Sequence, residues 1–267
     1  MLTDEQRVEA GQRLLEAEET RIQTGLISIA HPDATMDDAY AIQAELVRQK
    51  IAAGRRITGW KIGLTSKAMQ AALNITTPDS GILFDDMYFA SGATVPKGRF
   101  IQPRIEAEIA FVMKSDLDHS NLSEEAILEA TDYVCPSLEI LDTRILRKDP
   151  STGTTRNIVD TISDNAANAG YVLGTHQLDP KTTDLRWMGA IVSRNGEVEE
   201  TGLGAGVLNN PVTSMLWLAE RLASYGGQIK AGQVILSGSF IRPIEAVPGS
   251  HVHADFGPYG IVDCCFE

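Results

Sequence analysis

The chain has 267 residues, 43% hydrophobic and 22% charged, which is enough to bury one large core or two small ones. Its formal net charge of −13 argues against nucleic acid and against an anionic membrane as partners, because both require a basic face. No cationic leader with an apolar core and no stretch of about 18 apolar residues is present, so a cytoplasmic location is expected.

The first 22 residues read as a helix opened by a capping box at Thr3 and Gln6, with Val8, Leu14 and Leu15 along one face. A second helix follows Thr35, whose capping partner is Asp38; Tyr40, Ile42, Leu46, Val47 and Ile51 form its apolar stripe and Gly54 ends it. Beyond Gly54, short β-type runs are separated by Gly, Pro and Asp turns to the end of the chain. They are interrupted by a helix after Asn121 or Ser123, over Glu124 to Asp132, and by another from about Pro211 to Tyr225. Asn195-Gly196, between two β-type runs, is a strong hairpin signal. The pattern predicts an α+β chain, with a helical α/β cap region over residues 1–75 and a β-rich domain over 76–267 in antiparallel and mixed strands. Cys135, Cys264 and Cys265 form neither a disulfide framework nor a zinc spacing, and read as buried reduced thiols.

Chemistry concentrates in the run Arg104 to Val112. Ile105, Ala107, Ile109 and Phe111 share one strand parity, and Glu106 and Glu108 share the other, roughly 6–7 Å apart. Like charges this close in an apolar strand are costly, about 4 kcal/mol for a contact near 4 Å at an effective dielectric near 20. A divalent cation removes that cost; the plainer alternative is a solvated sheet face. A third carboxylate, Glu139, lies between Leu138 and Ile140 in a second apolar run. Three hard oxygen ligands with no His or Cys nearby suit Mg2+ or Mn2+ better than Zn2+.

Lys61 sits in the middle of the apolar run Gly59 to Leu64, which favours an inward role over a snorkelling surface one. There, desolvation should lower its pKa. Pro78-Asp79-Ser80-Gly81 has the composition of a turn, with Asp79 a loop carboxylate able to shuttle a proton. Ile162 to Gly170 is polar and then small, and reads equally as a pocket lining or a tight loop. Gly202 to Val207 lacks the third glycine of a dinucleotide fingerprint, and Ser237-Gly238-Ser239 lacks the flanks of a nucleophile elbow. His251 and His253 alternate on a late strand without a third ligand and read as exposed.

Taken in order, Lys61 to Gln70, Arg104 to Phe111, Leu138 to Asp142, Thr161 to Asn168 and Ala231 to Ser239 resemble the fumarylacetoacetate hydrolase superfamily, nearly end to end. Its hydratase and decarboxylase branch, acting on 2-oxo-4-enoates from catechol meta-cleavage, is the nearer likeness, especially through Asp79-Ser80-Gly81 and Phe84-Asp85-Asp86-Met87. The resemblance implies a mixed β-roll core behind an α/β N-terminal region, assembled as dimers or larger homo-oligomers. It implies Mg2+, with Mn2+ as an alternative, on Glu106, Glu108 and Glu139, and a catalytic pair in Lys61 and Asp79. Lys61 would neutralise the substrate's C1 carboxylate or donate a proton; Asp79 would shuttle a proton or activate water. The Leu64–Thr65 backbone and Ser163 would bind a small dicarboxylate 2-oxo-alkenoate such as 2-oxo-hept-4-ene-1,7-dioate, to which water is added. The alternatives are a decarboxylase on the same metal site and a C–C hydrolase; the latter needs a general base, often His, and His31, His119 and His176 sit in polar, loop-like stretches. Trp60 stands where some relatives carry His, and Trp relays no proton. For the distal carboxylate, Arg104, Arg144, Arg156 and Lys67 are unranked candidates.

Overall fold

The computed structural model of the protein describes residues 1–72 and 75–267. Helices α1 (Asp4–Thr20), α2 (Ile27–Ala30) and α3 (Met36–Ala52) precede the first strand. Later come α4 (Lys67–Ala72), α5 (Glu124–Ala130), α6 (Ile158–Ser163) and α7 (Pro211–Ser224). The strands begin with β1 (Ile57–Gly63), β2 (Asp79–Phe84), β3 (Tyr88–Ala90), β4 (Ala93–Val95), β5 (Arg104–Met113), β6 (Thr131–Leu141) and β7 (Asn168–Leu173). After them come β8 (Gly189–Arg194), β9 (Glu197–Leu203), β10 (Val234–Ser239), β11 (Ile244–Glu245), β12 (His251–Asp255) and β13 (Ile261–Phe266).

Both N-terminal capping boxes form as read: Thr3 with Gln6 opens α1, and Thr35 with Asp38 opens α3. Ala10 and Leu14 of α1 share one apolar cluster with Ala39, Ile42 and Leu46 of α3 and with Val159 and Ile162 of α6. Val8 and Ile51 do not join it and are exposed, because six residues from Leu14 and five from Leu46 take them off the i, i+3, i+4 stripe. Ser123 is the cap of α5, and that helix stops at Ala130 because Thr131 already pairs with Met113 as the start of β6. Helix α7 occupies the span expected for it, opened by Asn210 and the N1 proline Pro211.

Among the described residues the strands form two mixed sheets. The larger runs β2-β1-β10-β5-β6-β7-β3, with β11 beside β5; the smaller runs β4-β13-β12-β8-β9. Pairs β1/β10, β3/β7 and β4/β13 are parallel, and the rest are antiparallel. Strand β1 inserts between β2 and β10, so Lys61 is paired on both sides, with Gly81 and with Leu236. Asn195 and Gly196, at φ 54° and 86°, make the left-handed turn that joins β8 to β9. Ile62, Phe111, Ile235, Met215 and Leu218 belong to one core that continues into Val192, Val252 and Val262 of the smaller sheet. Each fully buried side chain of this size contributes about 1.5–3 kcal/mol, which fixes the strand faces and with them the direction of the polar residues between. Among the described residues no helix is long and apolar enough to cross a membrane.

The structure corrects the turn reading of residues 78–81. Asp79, Ser80 and Gly81 begin the fully buried strand β2 and pair with Gly63, Ile62 and Lys61. Pairing with β1 and with the side chain of Asn165 outweighs the local turn preference, since Asn165 Oδ1 accepts from the Ile82 N–H and its Nδ2 donates to the Ile82 carbonyl.

Candidate active site

The register of β5 on β6 sets Glu106 directly opposite Glu139 and Glu108 opposite Ser137. The three carboxylates share one face of the sheet, and one oxygen from each lies within 4.8 Å of the others. Glu108 and Glu139 are fully buried and Glu106 opens onto a cavity, so the solvated-face reading does not hold. Lys61 comes in from β1, its Nζ 3.2 Å from Glu139 Oε1 and 3.1 Å from the Ala166 carbonyl oxygen.

The stretch Ile162 to Gly170 is a tight turn that also lines the cavity. Asn165, Ala166 and Ala167 are all left-handed, at φ 52°, 52° and 58°, a conformation costing roughly 1–2 kcal/mol per non-glycine residue. Gly81 gives it room, since a Cβ there would lie 2.5 Å from the Asn165 carbonyl oxygen, and Gly63 gives room to Asp79, whose Oδ1 would lie 2.2 Å from a Cβ on it. Arg144 holds the turn from behind. Its guanidinium donates to Asp164 Oδ1 and to the carbonyls of Asp142, Asp164 and Asn168, all within buried structure. Past the turn, Asn168 Nδ2 donates to Glu139 Oε1 at 2.7 Å, and from β10 the Gly238 N–H donates to Glu108 Oε2 at 2.7 Å.

Four carboxylates therefore surround one ammonium. Burial, then the charge of Glu139, pushes the Glu106 carboxyl up to about 8, and the same causes with Glu106 added push Glu108 well above the carboxylate range. Asp79 is raised by burial against the pull of Lys61. Lys61 departs from expectation: burial lowers its pKa, but the fields of Glu139, Asp79, Glu106 and Glu108 outweigh burial, so the net shift is upward and it stays an ammonium. Glu108 Oε1, Glu139 Oε2 and Asp79 Oδ1 find no hydrogen-bond partner among the described residues. Converging hard oxygens, two of them buried and unpartnered, fit a divalent cation, which would supply the missing positive charge.

The cavity has a volume of about 870 Å3 and is lined at this end by Lys61, Leu64, Thr65, Asp79, Glu106 and Ala166. Leu64, at φ 55°, gives its carbonyl to Gln70 Nε2, and Thr65 gives its own to the Leu208 N–H, which fixes this backbone at the cavity wall. Lys61, Asp79, Leu64, Thr65 and the glutamates are thus brought together. Ser163 lies apart, fully buried at the end of α6 and off the lining, its hydroxyl without a hydrogen-bond partner among the described residues. Trp60 points to the other face of β1, where its indole N–H donates to Gln233 Oε1. Arg144 is buried and saturated, and exposed Lys67 bonds Gln70 away from the lining, so neither faces a ligand. Asn168 and Gly238 were not legible as orienting groups, and Arg147, also on the lining, was not among the candidate arginines.

This carboxylate cluster beside a buried lysine, at the crossing of β1, β5 and β6, defines the class: the chain belongs to the fumarylacetoacetate hydrolase superfamily, in its hydratase and decarboxylase branch. It is 51% identical over 255 residues to 2-oxo-hept-4-ene-1,7-dioate hydratase of Escherichia coli, covering 96% of each chain. It is 39% identical over 266 residues to 2-keto-4-pentenoate hydratase of Paraburkholderia xenovorans (strain LB400), covering 100% of this chain and 97% of the relative. The structure of 4-oxalocrotonate decarboxylase from Pseudomonas putida G7, complexed with magnesium and adipate, superposes with a TM-score of 0.93 at 32% identity, over 100% of this chain and 99% of that one. A fumarylacetoacetate hydrolase family protein from Yersinia pestis CO92 shares the fold alone, with a TM-score of 0.55 at 12% identity over 78% of this chain and 92% of that one. No family model matches the sequence.

Proposed function

We propose that the protein is a Mg2+-dependent hydro-lyase adding water to a 2-oxo-4-enoate, 2-oxo-hept-4-ene-1,7-dioate, in the catabolism of aromatic compounds by meta-cleavage. The observation that carries this reading is the convergence of three carboxylates, with buried unpartnered oxygens, beside the Lys61 ammonium in an open cavity. The 51% identity to a hydratase of that substrate supports the choice of reaction. Glu106, Glu108 and Glu139 would hold the Mg2+, or Mn2+ in its place, and the bound cation supplies Lewis-acid stabilisation of the negative charge developing on the 2-oxo group.

In a 2-oxo-4-enoate the double bond lies one position too far from the carbonyl for conjugate addition. A proton must leave C3 and one must reach C5; water then adds its oxygen at C4 and a proton at C3. Asp79 suits the proton transfers, because its carboxyl holds a proton more tightly than an ordinary aspartate and Oδ1 is free. Lys61, fixed by Glu139 and the Ala166 carbonyl, faces the C1 carboxylate as an ammonium and neutralises its charge. The N–H groups of Leu64 and Thr65 orient the same end. No covalent nucleophile is required.

The decarboxylase alternative is not favoured, since the relative at 51% identity is a hydratase while the decarboxylase structure stands at 32%. A C–C hydrolase would need a general base to activate water, and no histidine lines the cavity among the described residues. A cytoplasmic homo-oligomer completes the proposal; the free thiols of Cys135, Cys264 and Cys265 suit a reducing compartment. Lys61→Met and Glu139→Gln test the site. Lys61→Met should lower kcat by about 10^2–10^4-fold while calorimetry still detects Mg2+ binding, and Glu139→Gln should lose both. Near-normal turnover by Lys61→Met would sink its catalytic role.

A further inference from the structure

Between β6 and α6 the chain folds into a short two-stranded ribbon that reaches over the cavity. Lys148 pairs antiparallel with Thr155, the Arg156 N–H donates to the Arg147 carbonyl at 3.1 Å, and the Asp149 N–H donates to the Thr154 carbonyl at 2.8 Å. The Asp149 carboxylate closes the tip by accepting the N–H groups of Ser151 and Thr152. Arg147 and Arg156 therefore stand directly opposite each other, with side chains on one face of the ribbon, and both line the cavity. Like charges directly opposite across a strand pair destabilise it unless an anion lies between them.

Four arginines line this cavity, and their pairing separates them. Arg104 is bonded to Glu245 at 2.8 Å and Arg242 to Glu200 at 2.6 Å. Among the described residues Arg147 and Arg156 have no carboxylate within ion-pair distance. Arg147 makes only two 3.5 Å contacts to Gln102, and Asp160 and Asp164 act on Arg156 from farther off. Burial, then the charges of Arg104 and Arg156, lowers the Arg147 guanidinium to about 10, as expected where cations crowd without an anion. Arg104 shares the strand parity of Glu106, about 6–7 Å along β5, so the cationic end lies along the sheet from the carboxylate cluster.

The geometry points to Arg147 and Arg156 as the clamp for the distal carboxylate of the substrate, and so as the pair that selects dicarboxylate over monocarboxylate 2-oxo-enoates. The inference rests on the hydratase reading: the C1–C2 end would sit at Lys61 and the glutamates, and C7, five bonds from the keto carbon, between the two guanidinium groups. A paired fork of this kind suits the two oxygens of a carboxylate. The ribbon is held at its base by the Arg144–Asp164 pair and by Gln23, which donates to the carbonyls of Thr143 and Ile145, so the clamp is placed before substrate arrives.

The test compares kcat/KM for 2-oxo-hept-4-ene-1,7-dioate with that for 2-oxo-pent-4-enoate, which has the same reacting end and no distal carboxylate. In Arg147→Met and in Arg156→Met the dioate-to-monocarboxylate ratio should fall about 100-fold, mainly through KM, and Arg156→Lys should restore part of it. An unchanged ratio, or equal loss on both substrates, overturns the clamp. Binding of adipate to the Mg2+-loaded protein, read by calorimetry, should weaken in the same variants, and adipate affinity equal to wild type also overturns it. If wild-type protein hydrates neither substrate, the hydratase reading fails, and the adipate titration still decides the clamp.

Discussion

Lowering the pH should strip the protein of its response to Mg2+. In the metal-free fold, burial and mutual repulsion raise Glu106 to about 8 and Glu108 well above the ordinary range. A carboxyl with a raised folded pKa binds its proton more tightly in the folded than in the unfolded chain. The metal-free protein therefore loses stability as pH rises from about 4.5, the unfolded value, through about 8. At about 1.4 kcal/mol per pKa unit, the coupled carboxylate cluster contributes on the order of 5 kcal/mol to that loss. For a chain of this size that is on the order of 10 °C in melting temperature. A cation bound to the deprotonated cluster reverses the slope, because it takes the place of the protons. Thermal melts with and without excess Mg2+ at about pH 5.5 and about pH 8.5 should show a gain that is small in acid and about 10 °C in base. Asp164, pushed by burial up to about 6 against the pull of Arg144, adds a slope of the same sign in both arms and cancels in the comparison. An Mg2+ gain of equal size at both pH values, or no gain, would refute the reasoning.

Other consequences follow from single contacts. Arg144→Met leaves Asp164 buried without its cation and should cost about 3–5 kcal/mol in urea unfolding; a loss under about 1 kcal/mol would contradict its role in holding the turn. Asn168→Ala removes the N–H that orients Glu139 and should weaken Mg2+ binding about 10–100-fold by calorimetry, unchanged affinity being the contrary result. Asp38 would be raised by burial, but bonds from Leu2, Thr35 and Arg7 prevail and hold it well below the usual range. Its stabilisation is present above the unfolded value near 3.9 and is lost as pH falls further. Asp38→Asn should accordingly be about 1 kcal/mol less stable at neutral pH, with the gap closing in strong acid; a gap that persists there speaks against the linkage.

The convergence of the three carboxylates was legible because β5 alternates so strictly that Glu106 and Glu108 can only share a face, and because Glu139 interrupts an equally apolar run. Lys61 was legible for the same reason. Asp79 was misread as a turn residue, since Pro-Asp-Ser-Gly carries no local sign of the pairing with β1 and Asn165 that makes it a strand. The left-handed turn at Asn165, Ala166 and Ala167 contains no glycine to announce it and is imposed from outside by Arg144 and the β2 backbone. Arg147 escaped notice because its partner Arg156 becomes a neighbour only once the ribbon register is known. Val8 and Ile51 show the opposite error, apolar residues assigned to a stripe they miss by a fraction of a turn.

The most direct measurement is product mass in 18O-labelled water. Protein stripped with EDTA and resupplied with Mg2+ is given 2-oxo-hept-4-ene-1,7-dioate, alongside a metal-free control. The expected product is heavier than the substrate by one labelled water and forms only with the metal. A product lighter by carbon dioxide, or hydration that proceeds equally without metal, would contradict the assignment of Glu106, Glu108, Glu139 and Lys61 as a metal-dependent hydration site.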